Sequence, residues 1–170
     1  MGWLTITGSC SSVRQPDMVR RRWSPSGAPP AQVRSSGSAW TRRTVTAAML
    51  ASDLVLYLTP LTFGGYSFEL KKALDHSICL VSPFFTRIGG EVHHLARYNR
   101  YPAILGVGVN ATQQDAQEAI FARLIERNAI NLHAPAHGAV AVRRADAVAP
   151  IATALEGALA RMEIRQEVTV

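Results

Sequence analysis

Two groups of residues have the types and spacing to do chemistry. The first is Thr59-Pro60-Leu61-Thr62-Phe63-Gly64-Gly65-Tyr66, which follows the apolar run Leu54 to Leu58 and precedes Ser67 and an amphipathic stretch. That order reads as strand, loop and helix, with the loop at the carboxyl end of the strand. Open α/β sheets place their ligands beyond those carboxyl ends. Paired glycines alone would mean only a tight turn. The second group is Glu91, His93 and His94. A divalent metal wants three or four ligands, and neighbouring side chains in an extended segment point apart. His133 and His137 are four apart, but Pro135 prevents the helix that would align them. No metal site and no catalytic side chain is therefore assigned. The histidine segment reads as a structural loop or as an insertion shaping a substrate mouth, where an imidazole is suited to proton transfer near neutral pH.

These residues need a scaffold, and the sequence suggests one. Ala47 to Ala51 fits the last turns of a helix, and Leu54 to Leu58 is a strand apolar on both faces. From Ser67 a helix follows, with Phe68, Leu70, Leu74 and Ile78 as its apolar face. Phe84 to Tyr101 reads as an irregular polar and aromatic insertion, closed by Pro102. Ala103 to Val109 is the next buried strand, and its glycines permit close approach by a helix or ligand. Thr112 is placed as the N-cap of a helix from Gln113 to Arg127, with Ala116, Ile120, Leu124 and Arg127 in register. Ala129 to His133 is expected as a third strand, extended after Pro135 by Gly138 to Val142, before a last helix from Asp146 to Met162. Alternating periods of 2 and 3.6 residues define an α/β fold with a doubly wound parallel sheet.

Composition sets further bounds. Residues 1–46 carry seven arginines and one aspartate, which is the whole net charge of +6; the remainder balances eleven basic against eleven acidic side chains. Residues 1–45 are rich in Ser, Arg and Pro and read as a largely disordered segment, and 46–170 as the folded domain. The basic segment, with Trp23 and Trp40, is read as a solvated tail rather than a nucleic-acid module. Leu4 to Thr7 is a weak strand signal. Cys10 and Cys79 form neither a disulfide framework nor a CxxC pair, and Cys79 reads as a buried small hydrophobe. No signal peptide or membrane span is read, so a cytoplasmic location is expected.

The string TPLTFGGYSFELKKALDHSI, then GEVHH, then RYNRYP before a strand, resembles a subgroup of the flavodoxin-like NAD(P)H-dependent FMN reductase family over about residues 46–142. The resemblance implies a flavodoxin-like five-stranded parallel sheet in 2-1-3-4-5 order. Leu54 to Leu58, Ala103 to Val109 and Ala129 to His133 would be its strands three, four and five. It implies FMN as cofactor, NADPH or NADH as co-substrate, a small acceptor such as a quinone or flavin, and a homodimer. By position, Thr59, Leu61 and Thr62 would bond the ring edge through their backbones, with Pro60 in the same loop. Phe63 or Tyr66 would flank the ring, Gly64 and Gly65 would make room, and Val109, Asn110 and Ala111 would border its far side. The family's phosphate-cradling first loop and second strand have no counterpart between Ser11 and Thr44, so strands one and two are expected to be missing or badly formed. The other functional reading is a non-catalytic remnant that binds FMN weakly or not at all.

Overall fold

The computed structural model describes residues 3–7, 42–112 and 114–162. Four parallel strands form one sheet: β1 (Trp3–Thr7), β2 (Leu54–Pro60), β5 (Ala103–Asn110) and β6 (His137–Arg143), in the order β1-β2-β5-β6. Between β2 and β5 the chain makes a separate antiparallel pair, β3 (Val81–Ile88) and β4 (Glu91–Ala96). The helices are α1 (Arg42–Leu50), α2 (Phe68–His76), α3 (Asp115–Asn131) and α4 (Val148–Arg161). No helix among the described residues is long and apolar enough to cross a membrane.

The apolar runs became central strands because both faces of the sheet are covered. Val55, Tyr57 and Ile104 point to the face packed by α1, α2 and α3, through Met49, Leu70, Leu74, Phe121 and Ile125. Leu54, Leu105, Val107, Val140 and Val142 point to the other, packed by Ala158 of α4 and by Met162 at its C-cap. Such two-faced burial is the mark of parallel α/β sheets. Gly106 fixes how closely α3 approaches: a Cβ there would lie 2.4 Å from Ile125 Cδ1.

Several expectations are corrected. A first strand does form, and Trp3 to Thr7 pairs residue by residue with Leu54 to Leu58. The outward backbone groups of β2 need partners, and β1 supplies them. The region expected to lack a second strand, 8–41, lies outside the described residues, as does most of the segment expected to be disordered. Helix α1 begins at Arg42, so a boundary at residue 46 cuts through it. Ala129 to His133 is not a strand, because α3 continues to Asn131. Its end is a Schellman turn, with Ala134 N–H donating to Ala129 O (2.9 Å) and His133 N–H to Ile130 O (3.1 Å), and His133 at φ +53°. The strand is β6, starting at His137.

The α3 register also shifts by one residue. Phe121, Ile125 and Ala129 are buried, whereas Ile120 is half exposed. Helix α3 is preceded by Gln114 in the cap position rather than Thr112. In α2, Leu70 and Leu74 are buried but Phe68 is exposed, as is Ile78 in the short 3-10 turn (Ser77–Leu80) that follows the helix. Phe84 to Tyr101 is not irregular: it holds most of the β3–β4 hairpin, turned by Gly89 and Gly90, both at positive φ. Cys79 is only half-buried.

Candidate functional site

The carboxyl edge of the sheet gathers the ends of β2, β5 and β6 and the start of α3. The loop after β2 is tied down at both ends. Thr59, which is buried, accepts a hydrogen bond at Oγ1 from Ser67 N–H (2.8 Å) and donates to Pro60 O (3.0 Å). Ser67 in turn caps α2, its Oγ accepting from Leu70 N–H at 3.3 Å. One hydroxyl thus closes an eight-residue loop and fixes where the helix starts.

Within the loop, Leu61 N–H donates to Val109 O (3.0 Å), which carries the β2–β5 pairing past the end of the strand. Thr62 and Gly65 exchange backbone bonds in both directions, at 3.2 and 2.8 Å. Between them Phe63 (φ +51°) and Gly64 (φ +81°) are both left-handed. Two successive positive φ values define a type I′ turn. Gly64 is needed twice over, since a Cβ there would lie 2.8 Å from Ile120 Cβ and 3.0 Å from Gln117 O. Phe63 stands at the crest, 86% exposed. The N–H groups of Phe63 and Gly64 donate to no other described residue.

The two aromatic residues of the loop are separated by this geometry. Tyr66 turns inward: its ring meets Phe121 edge-on at 6.0 Å, and its Oη accepts from Asn128 Nδ2. Burial pushes its phenol up to about 12, against the lowering effect of the Asn128 bond. Phe63 alone presents its ring to solvent at the edge. Across the gap, Asn110 is buried, with Nδ2 donating to Glu118 Oε1 (3.2 Å) and its carbonyl accepting from Arg144 N–H (2.9 Å). Val109 lies half-buried on the α4 side, and Ala111 is exposed.

Eleven residues from Thr59 to Tyr66 and Val109 to Ala111 are therefore brought to one edge, though with different roles from those expected. The N–H of Leu61 is taken by Val109 of β5 and that of Thr62 by Gly65 within the loop, and Tyr66 faces α3. Among the α3 residues against which the loop packs, sequence reasoning missed Gln117 and Asn128 and read Ile120 only as part of the helix's apolar face. Only the spacing of Ile120 and Asn128, two helical turns apart, hints at a shared face.

The histidines lie elsewhere. His93 is buried between Asn131 Oδ1, 2.9 Å from Nδ1, and Glu91 Oε2, 3.1 Å from Nε2. Glu91 also pairs with Arg127 Nη2 at 2.5 Å, and Arg127 foremost, then His93, holds its carboxyl below the usual range. His94 Nδ1 is 2.8 Å from Ser82 O, and His133 Nε2 is 2.8 Å from His94 O. The hairpin is thus fastened to the C-terminal end of α3, whereas the Phe63–Gly64 crest meets its first turns. Ile120 and Asn131 are separated by about 16 Å of helix at 1.5 Å per residue. The histidine segment therefore does not shape a mouth beside that crest. No group of three or more metal-ligating side chains occurs among the described residues. No family model matches this sequence, and no curated protein matches it significantly.

Proposed function

We propose that the chain is a flavodoxin-like, FMN-dependent oxidoreductase that takes electrons from NADPH or NADH and passes them to a small acceptor such as a quinone or flavin. The observation that carries this reading is the Thr62–Gly65 turn. It offers two open backbone donors and one exposed aromatic ring at the carboxyl edge of a parallel sheet. A flavin ring is planar and apolar on its faces, with acceptors along its edge, so those groups fit it. When bound, FMN would supply the hydride- and electron-accepting chemistry. This chain's own residues would position it. The N–H groups of Phe63 and Gly64 would meet the ring edge, the Phe63 side chain would shield a face from water, and Val109 to Ala111 would border the other side. Thr59 would keep the loop closed.

The test is titration of the purified protein with FMN, followed by visible absorption and fluorescence quenching. Saturable binding with a perturbed flavin spectrum, and NAD(P)H oxidation thereafter, is the expected result. Phe63→Ala should weaken FMN binding by about 1 kcal/mol, roughly fivefold, the worth of a lost aromatic contact. A colourless protein that cannot be loaded would refute the proposal and favour the non-catalytic remnant.

A further inference from the structure

The β3–β4 hairpin stands apart from the main sheet as an arm of its own. Cross-strand partners share a face, and faces alternate along each strand. The Thr86–His93 and Ile88–Glu91 pairs face α3, because His93 bonds Asn131 and Glu91 bonds Arg127. Phe85–His94 and Arg87–Val92 therefore lie together on the opposite face. There Phe85 is 63% exposed and Val92 62%. The Phe85 and His94 rings pack with their centroids 4.6 Å apart, tilted by 31°. The His94 ring is itself pinned, since its Nδ1 donates to Ser82 O at 2.8 Å.

The charge on this face has one sign. Arg87 is exposed and forms no ion pair among the described residues. Glu91, the hairpin's one acidic residue, is on the other face, held by Arg127 and His93. A second aromatic–guanidinium pair follows directly on β4, where Arg97 lies 5.9 Å from the centroid of the exposed Tyr98 ring. Exposed rings beside cations are the two parts of a surface for single strands. Rings stack on bases of any sequence, and arginines meet phosphates. The face is open rather than walled, so it does not enclose a free nucleotide as a small-molecule pocket would. A strand supplies the several weak contacts that such a surface needs.

We propose that the outer face of the β3–β4 hairpin binds single-stranded nucleic acid, with a base stacked on Phe85 and an adjoining phosphate paired with Arg87. The His94 ring behind Phe85 holds the platform in place before the strand arrives, which lowers the cost of ordering it. No group on this face reads base edges, so the contact is indifferent to sequence. The arginine-rich residues 1–46 would add phosphate contacts, but they cannot make the contact depend on Phe85.

The experiment is fluorescence anisotropy of a labelled oligothymidylate of about 12 nucleotides, titrated with the full chain at about 50 to 200 mM salt. Binding in the micromolar range is expected. Phe85→Ala should weaken it about tenfold, the worth of one stacked base, whereas Phe85→Tyr keeps the ring and should bind like the wild type. An abasic strand of the same length keeps the phosphates and lacks the bases. The wild type should bind it more weakly, and Phe85→Ala should bind it as the wild type does. Arg87→Gln should lower the slope of log affinity against log salt by about 0.7, the share of one phosphate on a single strand. A wild type that does not bind, or that binds the abasic strand equally well, overturns the proposal. So does binding indifferent to Phe85→Ala, which would belong to residues 1–46 alone, or a slope unchanged by Arg87→Gln. A Phe85→Ala loss equally large on the abasic strand would mean a disturbed arm rather than a lost stack, and overturns it too. Neither residue belongs to the Thr62–Gly65 turn, so the outcome is independent of FMN loading.

Discussion

Phe63 is the residue whose conformation most needs explaining. A bulky side chain at positive φ costs about 1–3 kcal/mol and persists where the surroundings enforce it, often at a functional site. Here Thr62–Gly65 pairing and Gly64's contact with Ile120 enforce it. Phe63→Asn, a residue tolerant of that region, should stabilise the fold by about 1 kcal/mol in urea denaturation while weakening FMN binding. Gly64→Ala should instead destabilise the fold, by about 2 kcal/mol or more, because the clashing Ile120 Cβ is fixed by the helix. Tyr57 is a second costly choice, fully buried with a hydroxyl that has no partner among the described residues. Tyr57→Phe should be neutral or stabilising by about 1 kcal/mol, since it removes an unsatisfied polar group. Burial raises the phenol of Tyr57 and, to about 12, that of Tyr66. A raised folded value keeps both neutral where the unfolded chain ionises. Their contribution is therefore complete below pH 10 and falls away above it, a loss that Tyr57→Phe should reduce in melts at alkaline pH.

At the scale of elements, local chemistry was legible wherever it decided the outcome. Ser67 caps α2, the two-faced apolar runs became β2 and β5, and the Gly64 loop lies at the sheet's carboxyl edge. What stayed hidden depended on tertiary packing. Helix α3 presents Phe121 and Ile125 rather than Ile120 and Leu124 because Gly106 opens a recess where Ile125 fits. Its end was missed because His133 takes the left-handed position usually held by glycine. The hairpin was missed because its alternation is masked: the inward side chains include His93 and Glu91, held by Arg127 and Asn131 instead of by apolar contacts. That polar fastening has a pH signature. The Glu91 carboxyl is held below its ordinary value of 4.5, so its contribution is present above that value and lost as pH falls through the lowered one. The protection factors of amides in β3 and β4, taken against their intrinsic exchange at each pH, should fall in acid, and Arg127→Ala should lower them already at neutral pH. Hairpin exchange unchanged by Arg127→Ala would mean that the ion pair does not hold the arm.

Across the whole molecule, the sheet depends on a strand remote in sequence from everything it joins. Strand β2 is apolar on both faces and pairs with β5 along its full length, yet its other edge is closed only by the five residues of β1 among those described. Each backbone hydrogen bond contributes about 1 kcal/mol net, against a total stability of about 5–15 kcal/mol for a domain. Losing β1 would therefore remove a substantial share and turn β2 into a long apolar edge, the kind that templates aggregation. A chain lacking residues 3–7 should melt several degrees lower and should aggregate in a concentration-dependent way, read by light scattering during thermal unfolding. Charge cannot account for that outcome, since Trp3 to Thr7 contains no ionisable side chain. If the shortened chain instead melts at the wild-type temperature and stays dispersed, the β1–β2 pairing contributes nothing to stability, and the sheet is held by β2, β5 and β6 alone.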